Sequence, residues 1–224
     1  AAYALITQFW LSVYIVSLQR KIKAPLIIHV RRLNAVVRVA QKRPAHLIYI
    51  AMIPLQILEC HSDSGFSKEQ ELGYGIKGAV YLRHGKCRRT GKLVFHLIDS
   101  QCGSHKHVTR CSFSAETRAA VIAADNLLPM AMTLHEMRLG CLTATEASTL
   151  RDNGTCCLTT ILTIDSMSLW SAVAAIVVKV PTEKKLAVHL FWLKELLMSR
   201  ALSVLRWCDT RDMLSDCHTK GSID

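Results

Sequence analysis

Apolar residues recur at steps of three or four along residues 26–40: Leu26, Ile27, Val30, Leu33, Val37 and Ala40. Arg31, Arg32, Arg38 and Lys42 fall largely off that stripe. The period predicts an amphipathic helix with a basic outer face. Pro25 and Pro44 bracket it, one suited to a helix's first turn and the other to the chain beyond its end. From residue 54 the pattern changes. Residues 55–61, 73–83 and 92–98 read as three strands at short spacing, an antiparallel meander. A Gly-rich basic turn at 85–91 separates the last two.

Residues 113–137 predict a long helix with Ala120, Val121, Ala124, Leu127, Leu128, Ala131 and Leu134 on its buried side. Ser114 suits its N-cap and Pro129 predicts a kink. Residues 143–154 are polar and read as a short helix plus loop. Residues 157–164 (CLTTILTI) are apolar and β-branched, as in a buried central strand. A short helix at 166–178, a longer one at 183–200, a strand at 201–207 and a helix at 211–220 complete the order. The sequence βββ-α-β-α-α-β-α predicts an α/β fold: a mixed sheet with helices on its faces, preceded by a short helical segment.

Composition refines this picture. Half of the 224 residues are apolar and a fifth are charged, which allows a sizeable core and excludes a disordered chain. The net charge is +11, a balance suited to a polyanionic partner. The charge is unevenly placed: no acid precedes Glu59, whereas eight basic residues do. Residues 1–50 therefore read as a basic helical connection segment and 51–224 as a nearly balanced domain. Residues 1–19 carry no charge and are followed by Arg20-Lys21, as in a membrane anchor. Thr7, Gln8, Ser12, Ser17 and Gln19 interrupt that run, so a buried helix is the favoured reading and no membrane role is expected. The chain does not begin with Met and reads as cut from a longer polypeptide. Nine cysteines without CxxC spacing read as reduced thiols of an intracellular protein. His105 and His107 flank Lys106 and read as solvated or phosphate-facing rather than as metal ligands.

Four acids stand where an ordinary role is hard to supply. Asp63 follows the first strand, Glu116 opens the long helix, Asp165 follows the most apolar strand, and Asp216 lies in the last helix. Sites in such sheets form outside the carboxyl ends of central strands. Converging carboxylates repel one another unless cations compensate, and hard oxygen ligands favour Mg²⁺ or Mn²⁺. The plainer readings are a turn at Asp63, a favourable helix-start charge at Glu116, an N-cap at 165–166 and a solvated Asp216.

Five ordered stretches carry a resemblance: HSDSGF (61–66), RCSFSAETRAA (110–120), TIDSMSLWSAV (163–173), EKKLAVHLFWLKEL (183–196) and DTRDMLSDCHTKG (209–221). Across residues 60–221 they resemble the ribonuclease H domain that ends the copia-type retrotransposon polyprotein. Residues 1–50 resemble the connection that follows the reverse transcriptase there. The resemblance implies a ribonuclease H-like mixed five-stranded sheet and an endonuclease that hydrolyses the RNA strand of RNA–DNA hybrids. It implies that Asp63, Glu116, Asp165 and Asp216 hold two Mg²⁺ ions, or Mn²⁺ in their place. It also implies the hybrid and an upstream reverse transcriptase domain as partners, in a cytoplasmic particle or the nucleus. Lys86, Arg88, Arg89, Lys106, Arg110 and Lys184 are candidates for phosphate contacts. This sequence departs from the family pattern in lacking the Trp of the first motif, in carrying Ser166 after the third acid, and in reading Lys184-Lys185-Leu186-Ala187 where a His and an Asp are usual. An inactive, decayed binding or connection module is the alternative.

Overall fold

The structure, a computed structural model, describes residues 8–44, 46–65, 75–106, 109, 111–178, 181 and 183–220. A 3₁₀ turn (Phe9–Leu11) leads into α1 (Ser12–Gln19), and α2 (Ile27–Lys42) follows. Three long strands come next: β1 (Met52–Gly65), β2 (Ile76–Cys87) and β3 (Leu93–Ser104). Then come α3 (Ser112–Leu139), α4 (Ala144–Asn153), β4 (Thr159–Ile164), α5 (Met167–Ala174), α6 (Lys185–Met198) and β5 (Val204–Trp207). A 3₁₀ turn (Thr210–Asp212) and the single-turn helix α7 (Asp216–Thr219) end the described fold.

The strands lie in the order β3-β2-β1-β4-β5. The meander β1–β3 is antiparallel, while β4 runs parallel to β1 and β5 parallel to β4. This is the mixed sheet expected from the order of elements, and its five strands match the ribonuclease H-like fold that the resemblance implied. Side chains alternate across it. Leu58 and Cys60 of β1 join Tyr81, Leu162 and Ile164 in one core with α3, α5 and α6. The helix α3 meets that face through Ala120, Ala123, Ala124, Leu127 and Ala131, all buried. Four of these are alanines, which allow close approach of helix and sheet. Glu59, His61 and Asp63 alternate with Leu58 and Cys60, so they project from the opposite face. The segment of α1 and α7 packs on that side, with α1 against β3 and α7 against β1 and β2.

A small second core joins α1 to α2: Leu11, Ile15 and Val36, flanked by Trp10, Tyr14, Leu18 and Ala40. The uncharged run that resembles an anchor is thus folded into packed structure over its described part. Among the described residues, no helix is long and apolar enough to cross a membrane.

Several expected boundaries move. Pairing of β1 with β2 continues to Gly65 opposite Ile76, so Asp63 lies within a strand rather than after it. The long helix begins at Ser112, with the extended residue Cys111 as its N-cap. Ser114 is therefore inside the helix, fully buried, and Glu116 sits beyond the first turn. The helix runs through Pro129 to Leu139, although proline removes one backbone donor. The expected last helix is replaced by a 3₁₀ turn and α7. Asp209 caps that turn by accepting from the Arg211 amide, and extended Met213 breaks the run.

Candidate metal centre

Each acid reaches the centre by a different element. Asp63 comes from β1, where Gly78 opposite it has no side chain to block that face. Asp165 is the first residue past β4, adjacent to β1 in the sheet. Asp216 opens α7, which lies over β1 and β2. The carboxylates of Asp63, Asp165 and Asp216 each offer an oxygen within 4.8 Å of the other two. Glu116, from α3 on the far face, is close enough that Asp63 and Asp165 both act on its charge. Of the four acids singled out from the sequence, the structure clusters Asp63, Asp165 and Asp216, and Glu116 lies near enough to feel the charge of two of them.

The electrostatics show a surplus of negative charge. Asp63 is 1% exposed. Burial raises its carboxyl to about 6; the Thr219 hydroxyl opposes the rise and Asp165 adds to it. Glu116 is raised further, to about 9, by burial and by the charges of Asp63 and Asp165. Both carboxyls bind a proton more readily than an ordinary carboxylate, and a divalent cation would compete with that proton. The oxygens are hard donors, and a set built from carboxylates fits Mg²⁺ or Mn²⁺ better than softer metals.

Four neighbours that the sequence pattern did not single out complete the surroundings. Thr219 donates its hydroxyl to Asp63 Oδ2. Lys220 Nζ donates to Asp216 Oδ1 at 2.7 Å. Burial acts to lower the Lys220 ammonium, but Asp216, Asp63 and Asp165 together push it up. Thr210 donates to Asp165 Oδ2 at 3.0 Å, and Trp207 Nε1 to the Asp165 carbonyl at 2.9 Å. In the sequence, Thr219 and Lys220 were visible only as part of a short motif whose spacing placed Asp216.

His105 is corrected from solvated to buried. Its Nε2 lies 2.9 Å from Ser64 Oγ, and burial with Lys77 and Arg118 nearby lowers it to about 4. It packs against the end of β1 because β3 runs on to Ser104 opposite Ile76.

The basic candidates divide. Lys86, Arg88 and Arg89 are exposed, at the β2–β3 turn. Gly78 pairs with Asp63 while Lys86 pairs with Ile53. Eight residues of strand separate them, roughly 27 Å. The structure thus does not bring this turn to the acids. Lys106 is exposed just past β3, near Lys77. Lys184 is exposed beside Glu183, whose carboxylate lies 3.5 Å from Arg118 on α3. Arg110 and His107 lie outside the described residues.

On the same sheet face, Glu59 is 4% exposed and fully engaged. Thr163 Oγ1 and Arg206 Nη1 donate to Oε1 at 2.6 and 2.8 Å, and His84 Nε2 lies 2.8 Å from Oε2. Burial acts to raise its carboxyl, but His84, Thr163, His61 and Arg206 hold it at about 2.

No family model and no curated protein matches the chain. Solved structures do. The N-terminal RNase H domain of Rv2228c from Mycobacterium tuberculosis, solved as a fusion with maltose-binding protein, is 15% identical with a TM-score of 0.40, over 72% of this chain and 89% of that one. LC11-RNase H1, isolated from compost by a metagenomic approach, is 14% identical with a TM-score of 0.43, over 72% and 91%. The same LC11-RNase H1 in complex with an RNA/DNA hybrid is 12% identical with a TM-score of 0.44, over 75% and 96%. These likenesses are distant and concern the fold alone.

Proposed function

We propose that this chain is a divalent-cation-dependent endonuclease of the ribonuclease H type, acting on the RNA strand of RNA–DNA hybrids. The observation that carries the reading is the convergence of Asp63, Asp165 and Asp216 within 4.8 Å, with Glu116 beside them, at the end of a ribonuclease H-like sheet. When bound there, Mg²⁺ or Mn²⁺ supplies Lewis-acid activation of water and charge stabilisation at the phosphodiester. The three aspartates and Glu116 would hold the cations. Thr219 and Thr210 orient two of the carboxylates through their hydroxyls. Lys220 holds Asp216 and offers one exposed cation at the rim, where a phosphate arrives. Lys106 and Lys184 are exposed and available for further phosphate contacts, since a hybrid is read by groove shape, phosphates and 2′-hydroxyls.

The finer reading places the domain in a copia-type retrotransposon polyprotein, serving reverse transcription in a cytoplasmic particle or the nucleus. The five ordered motifs support it. So does the apolar cleft of about 520 Å³ between α1 and α2, beside the exposed Ile27, Val30 and Val37, which suits packing against an upstream reverse transcriptase domain. Residues 1–50 then act as the connection between the two.

The test is cleavage of a labelled RNA–DNA hybrid with Mg²⁺, for the chain and for Asp165→Asn. Cleavage by the first and its loss in the second is the expected result. Salt-sensitive hybrid binding by both without cleavage would instead make the chain an inactive binding module.

A further inference from the structure

Asp216 reaches the acid centre on a helix of four residues, Asp216–Thr219. One turn cannot hold itself, since nucleating a helix costs more than a single turn returns. Its position is therefore set by what it packs against.

The sheet supplies one side. A Cβ on Gly78 would lie 2.5 Å from His218 Cβ, and one on Gly65 would lie 2.6 Å from the Thr219 carbonyl oxygen. Two glycines thus let α7 sit directly on β1 and β2. Cys102 Sγ donates to the His218 carbonyl at 3.1 Å. The other side is the N-terminal segment. Ser12 Oγ and His218 Nδ1 are in hydrogen-bond contact at 2.5 Å, both residues being buried. The Phe9 ring lies 5.9 Å from the His218 ring, centroid to centroid. His218 is fully buried between sheet and segment. It lies two residues after Asp216 and one before Thr219, so whatever fixes its ring fixes both neighbours.

We infer that the N-terminal segment is a positioning element of the metal centre: Ser12 and Phe9 clamp His218, and through it hold Asp216 and Thr219 in place. This rests on the functional reading above for what the acids do, but the clamp is a matter of packing. Ser12 and Phe9 touch none of the four acids; they act through α7. Residues 51–224 alone would lack one wall of their own centre.

The test uses the full chain and two readouts. Hydrogen exchange of residues 213–220, without metal, reads the clamp itself. Ser12→Ala speeds that exchange, whereas Val36→Ala, which loosens α1 against α2 without touching α7, leaves it unchanged. Mn²⁺ titration by calorimetry reads the consequence. Ser12→Ala weakens binding by about 10-fold, the scale seen when an outer-shell partner is removed. In an Asp216→Asn background its effect is smaller, what remains being the part that runs through Thr219 and Asp63. If Ser12→Ala does not fold, Phe9→Leu carries the same expectations. Unchanged exchange in Ser12→Ala, or an effect on Mn²⁺ that adds in full to Asp216→Asn, overturns the inference. Faster exchange with no Mn²⁺ binding by the unaltered chain leaves the clamp standing and overturns the functional reading instead.

Discussion

Glu59 and Asp63 lie four residues apart on β1, project from the same sheet face and are both almost fully buried. Their surroundings are opposite. Glu59 is met by Arg206, Thr163 and two histidines, and its carboxyl is held at about 2. Asp63 is met by further carboxylates, and its own is raised to about 6. Burial by itself therefore says little about a buried acid. The partners decide whether it is a finished ion pair or a site that still lacks positive charge. Glu59 is paired from within the chain; the centre at Asp63 gathers carboxylates that could hold a cation.

The largest effect that sharpens this contrast is on chemistry. Asp63→Asn is expected to reduce hybrid cleavage by about 1000-fold, the loss of several kcal/mol of stabilisation from the cation site. Single-turnover cleavage rates check it. Glu59→Ala is expected to do the reverse: little change in Mn²⁺ affinity, but a loss of about 2 kcal/mol of stability as buried donors lose their acceptor. Urea denaturation measures this, and a Glu59→Ala variant of normal stability but weakened Mn²⁺ binding would break the comparison. Gly78→Ala sits between the two. Its methyl meets His218, so we expect about 1–2 kcal/mol of destabilisation from overpacking together with weaker Mn²⁺ binding.

The pH response should differ in sign. Asp63 and Glu116 bind protons more tightly in the folded chain than in the unfolded one, whose values are 3.8 and 4.5. Their contribution without metal is therefore full below about pH 4 and is lost as pH rises, through about 6 and then about 9. Glu59 contributes above its unfolded value of 4.5 and loses that contribution as pH falls through about 2. Thermal melts across pH, with and without Mn²⁺, should show a metal-induced rise in Tm that grows with pH, and Glu59→Gln should leave that growth intact. The smallest effect concerns the distant turn. Neutralising Lys86, Arg88 and Arg89 should leave the cleavage rate at saturation unchanged and lower the salt slope of binding by about 0.9 for each phosphate that is no longer neutralised.

Much of this was legible in the chain. The apolar period of α3, the β-branched run of β4 and the short spacing of the meander are local signals, and local signals predict elements. The placement of Asp165 just past β4 followed directly from them. Boundaries were less legible where pairing extended an element: β1 runs on past Asp63 because β2 continues to pair with it, and nothing local in Ser62-Asp63-Ser64-Gly65 distinguishes a strand from a turn. The helix expected over 211–220 failed because Asp209 caps a 3₁₀ turn over its start and extended Met213 breaks the run.

By itself, then, the sequence determined the order of elements and the class of sheet, because periodicity and composition act over a few residues; the four acids were candidates that a family resemblance singled out. Only the tertiary structure decided what those acids meet. Thr219 reaches Asp63 across 156 residues, Arg206 reaches Glu59 across 147, and Ser12 reaches His218 across 206. Interactions of that span arise from strand order and packing, which bring distant residues to one face of the sheet and leave one carboxylate among cationic partners and its neighbour among further carboxylates.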